Sequence, residues 1–188
     1  MRHNHSVSSA KLLLRPLEEP DIESLREWRN NQANTSFIRQ LPHITSEMQS
    51  RWYAGYLADE NEMIFTIEAL QEPSGLIGSA SLYDFEGKRA QFGKIMIGHP
   101  GARGRHLGTE STQMVLAIAF ERLSLDVVFA TVHIQNIAAI CAYTKAGFYV
   151  KSIQPFSGGD PGTQEFVIEI TKERYLALKQ FYLAITFL

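Results

Sequence analysis

Gly101, Gly104 and Gly108 alternate with Arg103, Arg105 and His106 in the segment HPGARGRHLGTEST, residues 99–112, which runs directly into a helix-forming sequence. Glycines let a backbone approach a ligand closely, and the unpaired amides of a helix's first turn favour an anion there. The two arginines add charge-assisted bonds suited to phosphate oxygens. The spacing fits neither a Walker loop, which needs Gly-Lys-Ser/Thr, nor the dinucleotide fingerprint Gly-x-Gly-x-x-Gly. The chemistry is that of a pyrophosphate-binding loop, with an ordinary glycine-rich connection as the alternative.

Such a loop needs a strand before it and a helix after it, and the flanking periodicities supply both. AQFGKIMIG (90–98) reads as a strand, and TESTQMVLAIAFERL (109–123) as a helix with Met114, Ile118 and Leu123 toward a core and Glu110 in its first turn. Upstream, KLLLRPL is a first strand. Pro20 opens a helix in EEPDIESLREWRNN whose apolar face carries Ile22, Leu25 and Trp28. Ser46 with Gln49 predicts a capping box for SEMQSRWYAGYL, with Met48, Trp52 and Tyr56 at helical spacing. MIFTIEA and GLIGSASLY are strands that form an antiparallel meander with AQFGKIMIG across turn-rich connections. Downstream come the strand DVVFATVHI, a short helix NIAAICAYTKAGF capped by Asn136 and ended by Gly147, and the strand pair FYVKSIQ and TQEFVIEI. A last helix is read in TKERYLALKQFYLAITFL. Its stripe Tyr175, Leu178, Tyr182 and Ile185 suits a docking face, or a homodimer contact. The predicted order is β α α β β β α β α β β α, an α/β (α+β) architecture.

The whole chain sets limits on partners. Its 188 residues, 45% hydrophobic, suffice for one domain over 1–188, with 1–10 expected as a disordered N-terminal tail. A net charge of -2 and a pI near 6.3 give no basic field, so no nucleic-acid partner is expected. The lone Cys141 excludes an internal disulfide and fits a reducing cytoplasm. The start MRHNHSVSSA has no apolar run, and the last helix is too short and charged to span a bilayer, so no membrane partner is expected. His3 and His5 read as part of the polar terminus rather than as metal ligands, and no metal site is expected.

With these elements in place, the loop RGRHLG and the segment NIAAICAYTKAGF resemble the GNAT superfamily of acetyl-CoA-dependent N-acetyltransferases, over nearly the whole chain. The family's loop runs Arg or Gln, two residues, Gly, one residue, Gly or Ala. Arg103 and Gly108 match it, while His106 stands where the middle Gly is usual. Asn136, Ala139, Tyr143 and Gly147-Phe148 match the second motif without change. The front half, LREWRNN with ITSEMQSRWYAGYL, resembles the branch that acetylates ribosomal-protein N-termini, spermidine and nucleotide-linked amino sugars.

The resemblance implies a mostly antiparallel sheet splayed between its fourth and fifth strands, 90–98 and 126–134, and flanked by helices. The pantetheine arm of acetyl-CoA would pair with backbone at Met96, Ile97 and Gly98 as an added strand would. The amides of Gly104, Arg105, His106, Leu107, Gly108 and Thr109, with Arg103, would cradle the pyrophosphate. His106 is expected at an ordinary negative φ. Asn136 would combine cofactor contact with capping. Tyr143 would reprotonate the CoA thiolate after direct attack by an amine acceptor. Many relatives carry a basic carboxylate where this chain has Thr131, and others a Glu where it has Gln91. His133, on the same side of its strand as Thr131, is then a candidate base, since a free imidazole titrates at about 6.5, beside Asp84, Glu68 or a water relay. Cys141 is expected in the core. Two functions stay open here: an active N-acetyltransferase on a primary amine, and a non-catalytic acyl-CoA-binding module.

Overall fold

Leu12 and Leu14 leave β2 (Leu12–Pro16) on one face, both fully buried, and Val7 of β1 (Val7–Ser8) joins them through antiparallel pairing with Leu14. This is alternation acting on a half-buried strand. The computed structural model describes residues 3–37, 42–156, 162–182 and 184–188. Among them the sheet continues through β3 (Glu62–Ala69), β4 (Gly75–Glu86), β5 (Arg89–Ile97), β6 (Val127–His133), β7 (Tyr149–Pro155), β8 (Gln164–Thr171) and β9 (Thr186–Phe187). The spatial order is β7-β8-β6-β5-β4-β3-β2-β1-β9, and every pairing is antiparallel except β5 with β6. The mixed, mostly antiparallel sheet flanked by helices is the architecture expected from the sequence.

On one face lie α1 (Ile22–Asn30) and α2 (Ser46–Ala58), joined to the sheet by a small cluster of Leu17, Leu25, Tyr56 and Ile64. The main core fills the other face, where α3 (Leu107–Ala117), α4 (Ile137–Lys145) and α5 (Lys172–Leu178) lie. After Ala117 the chain widens into a π turn over Ile118–Arg122, which keeps Ile118 and Phe120 buried.

Several local expectations shift. The N-cap of α2 is Thr45, whose hydroxyl accepts from the Met48 amide, while Gln49 reaches across to Ile22 O at 3.0 Å. Met48 and Trp52 are about two-fifths exposed, at 39% and 40%, and only Tyr56 of that trio is buried, so the helix docks along a narrower face than the spacing suggested. The expected N-terminal tail is ordered from His3 onward, because Val7 and Ser8 gain a strand on each side; Met1 and Arg2 lie outside the described residues. The long final helix stops at Leu178. Beyond a 3-10 turn over Lys179–Phe181, Thr186 and Phe187 pair with Ser8 and Val7, a contact made by residues remote in sequence. The aromatic stripe docks inward: Tyr175 is buried, and Tyr182 donates to Ala146 O at 2.7 Å.

Candidate active site

Three register pairs tie β5 to β6: Arg89 with Val127, Ala90 with Val128 and Gln91 with Phe129. Beyond them β5 keeps only β4, and β6 keeps only β8, so the two strands part and leave a wedge. A bulge drives the separation. Ser79 pairs with Met96 but Ser81 already pairs with Gly93, and Lys94 takes φ 50 to absorb the extra residue. Met96 and Ile97 are half-buried on the departing strand. Gly98 is buried against Trp28 of α1, where a Cβ would lie 2.0 Å from the indole, so only glycine admits this approach. Its amide and that of His99 both donate to Ile77 O.

The glycine-rich loop follows at the wide end of the wedge. Gly104 takes φ 72, and His106, the N-cap of α3, takes φ 61. The expected negative φ at His106 is therefore wrong: the chain keeps the left-handed turn that glycine serves in this position and carries a side chain through it. Thr109 and Glu110 donate to His106 O, so the Thr109 amide is engaged within the helix. The amides of Leu107 and Gly108 donate to no protein carbonyl among the described residues. Gly104 has open space where a Cβ would stand, and Gly108 has no contact closer than 4.0 Å. An exposed loop with free amides at a helix N-terminus fits a diphosphate. Arg105 Nη1 donates to Glu72 O, and Arg103 folds back toward Ile97 O and Gly98 O, at 3.4 and 3.5 Å.

Asn136 Oδ1 accepts from the Ala139 amide at 3.1 Å, the expected cap of α4. Gly147, at φ 95, ends that helix. On α4, Tyr143 packs edge-on to Phe92 and beside Phe148, each with ring centroids 5.6 Å away. It is buried, and its hydroxyl has no hydrogen-bond partner among the described residues. Burial, with a smaller contribution from Tyr83, pushes the Tyr143 phenol well above its ordinary range. Tyr83 lies on the other side of the wedge, where a Cβ on Gly93 would come within 2.8 Å of its hydroxyl. Its own phenol is pushed up to about 12 by burial first and then by Asp84, Glu62 and Glu165.

The candidate bases separate on geometry. His133 Nδ1 accepts the Gln135 amide at 3.2 Å, so in the neutral ring the hydrogen sits on Nε2 and that nitrogen is a donor. The imidazole lies between Phe37 and Phe156, at 5.3 and 4.9 Å. Glu68 is held by Arg15 at 2.6 Å, within a network that also includes Asp21. Asp84 is exposed at the irregularity near the end of β4, at φ 52, and Thr131 is half-buried. Cys141, expected in the core, is exposed on the outer side of α4, because the turn that buries Tyr143 and Ala146 directs it outward. The reading of the sequence passed over Glu165, which pairs across from His133 and is 2% exposed. The available signal was its alternation with Val167 and Glu169 in TQEFVIEI, which puts two carboxylates on one face of a buried strand.

A sequence model of the acetyltransferase (GNAT) domain matches residues 11–149, which span the wedge, the loop and the Tyr143 helix. The chain belongs to the GNAT acetyltransferase family. Spermidine N(1)-acetyltransferase of Escherichia coli (strain K12) is 28% identical over 144 residues, covering 77% of this chain and 76% of the relative. An N-acetyltransferase 9-like protein of Caenorhabditis elegans is 22% identical over 94% of this chain and 91% of its own. Among solved structures, spermidine N-acetyltransferase from Vibrio cholerae, in complex with CoA and spermine, superposes with a TM-score of 0.78 at 22% identity, over 88% of this chain and 98% of the other. A GNAT-family acetyltransferase from Bacillus anthracis gives 0.76 at 18% identity, over 89% and 99%. Both likenesses concern the fold. As a GNAT member the chain is an acetyl-CoA-dependent N-acetyltransferase, which selects the catalytic of the two functions left open by the sequence. No helix among the described residues is long and apolar enough to cross a membrane.

Proposed function

We propose that this GNAT enzyme acetylates a primary amine of a small polycation of the polyamine class, acting as a single domain in the reducing cytoplasm. The observation that carries the acceptor class is the register row Glu62, Tyr83, Gln91, Phe129, Glu169, which runs across five strands on one face, with Glu165 on that same face of β8. Of these carboxylates, Glu62 and Glu169 are ion-paired with Lys94 and Lys151, and Glu165 leaves the acceptor side of the wedge one buried carboxylate with no cationic side chain on it among the described residues, as cation recognition requires. The 28% identity to a spermidine acetyltransferase supports the same class.

In this reading acetyl-CoA supplies the acetyl thioester. The free amides of Leu107 and Gly108, with Arg103, Gly104, Arg105 and His106 around them, hold the diphosphate. The side of β5 that has parted from β6, at Met96 and Ile97 and on to Gly98, binds the amide-bearing arm as a strand, with the arm taking the place of the long Arg103 contacts to Ile97 O and Gly98 O, and Asn136 sets the start of α4 beside it. The amine nitrogen attacks the thioester carbon, so a C–N bond forms and the C–S bond breaks. Tyr143 gives its hydroxyl proton to the departing thiolate, and the amine's surplus proton leaves through water. His133, whose Nδ1 already accepts from the Gln135 amide, lines the acceptor side as a ring wall rather than taking the amine's proton.

A panel of amines with acetyl-CoA, followed by thiol release and by mass analysis of the product, tests this. Spermidine and simple diamines are expected to turn over faster than a peptide N-terminus or an amino-sugar nucleotide. Faster turnover of either of the latter two overturns the polyamine assignment.

A further inference from the structure

Within the acetyltransferase reading above, we infer that Glu165 is the carboxylate that holds the acceptor's ammonium group at the mouth of the wedge. The other carboxylates of this face already have cations. Glu62 pairs with Lys94 at 2.8 Å, and Glu169 pairs with Lys151 at 2.7 Å while accepting from Tyr149 at 2.8 Å. Glu165 has no cationic side chain within ion-pair distance among the described residues. Its partner is a neutral amide, Gln154 Nε2, donating to Oε1 at 2.8 Å.

A carboxylate this deeply buried without a cation costs free energy that a bound cation recovers. Its position suits that cation. It lies opposite His133 at the end of β6, where β6 has already parted from β5, and its charge is felt by Tyr83 on the far wall. The groups beside it are Gln154 on β7 and His133 on β6, neither of which supplies a fixed positive charge. His133 keeps its Nδ1 bonded to Gln135 and is flanked by Phe37 and Phe156, so an apolar collar stands beside the carboxylate. Aromatic rings beside an anion form a site for an alkylammonium.

The test uses the full chain with spermidine as probe. Glu165→Gln keeps the shape and can still accept from Gln154, but removes the charge. It is expected to raise the KM for spermidine at least about tenfold, with kcat changed by less than about threefold and CoA affinity held within about twofold. Calorimetry of spermidine binding to the CoA-loaded protein should weaken by the same factor, which reads the site without turnover. Glu165→Asp, which keeps the charge on a shorter arm, should fall between the two, and it decides the matter if Glu165→Gln folds poorly. Spermidine affinity and KM within about twofold of wild type in these variants overturn the assignment. Wild-type protein that acetylates amines while KM ignores Glu165 leaves the enzyme reading standing and removes this one. Wild-type protein that binds CoA and spermidine but releases no thiol overturns the enzyme reading, and the binding arm still decides Glu165.

Discussion

Ser9 Oγ donates a 2.5 Å hydrogen bond to Glu110 Oε1, tying the N-terminal strand to the first turn of the helix that begins at the glycine-rich loop. The same hydroxyl accepts from the amides of Lys11 and Leu12, at 3.1 and 3.0 Å, so one side chain closes the β1–β2 turn and satisfies a buried carboxylate. Ser9→Ala strips Glu110 of its donor and two amides of their acceptor. It should lower stability by about 1–3 kcal/mol, measured by urea unfolding. An unchanged unfolding midpoint would show that Glu110 finds another donor.

His106 carries a Cβ through a left-handed turn, a conformation that costs an L-residue roughly 1–2 kcal/mol. Glycine relieves that strain but loses more chain entropy on folding. His106→Gly should therefore stabilise the protein by no more than about 1 kcal/mol and change CoA affinity by less than about tenfold. A larger gain in affinity, read by calorimetry, would mean that the imidazole obstructs the loop.

Tyr143→Phe keeps the packing on Phe92 and Phe148 and removes the hydroxyl. If that hydroxyl protonates the thiolate, kcat should fall about 10²-fold while CoA affinity and melting temperature hold. Burial raises the phenol's pKa, so Tyr143 stays protonated through neutral pH and loses its proton only above the ordinary phenol value of about 10. A basic limb in kcat between pH 8 and 9.5 that vanishes in Tyr143→Phe would contradict this sign.

Burial, partly opposed by the bond from its Nε2 to Ile64 O, lowers the His3 pKa to about 4, and its Nδ1 has no hydrogen-bond partner among the described residues. The imidazole rests on Phe65 at 4.5 Å. A pKa depressed in the folded state gives stability that is complete above the unfolded value of about 6.5 and is lost as pH falls toward 4. The protection factors of the amides at residues 4–8, that is, exchange rates corrected for the intrinsic pH dependence, should thus fall between pH 6.5 and 4, and His3→Phe should flatten that response. An equal fall in both proteins would place the trigger elsewhere.

The loop and the Tyr143 helix were legible because their chemistry is local. Gly147 ends α4, and Asn136 caps it with a bond to a residue three positions on, so spacing alone encodes both. The side of β6 that His133 shares with Thr131 was legible from alternation, but the hydrogen-bonding state of its ring nitrogens was not. That depends on the Gln135 amide, whose direction is set by the turn after β6.

Sequence by itself determined the period of each strand and helix, and therefore which face of each is apolar, because that choice is made between neighbours two, three or four residues apart. Tertiary structure decided where those faces meet. Val7 and Phe187 pair across the whole length of the chain and turn two unpromising ends into strands. The Lys94 bulge opens the wedge because β4 cannot stay in register, and Glu165 faces that opening through its pairing with His133, thirty-two residues away in the chain. Pairings of that separation depend on loop closure and on burial of surfaces from distant segments, so no local pattern carries them.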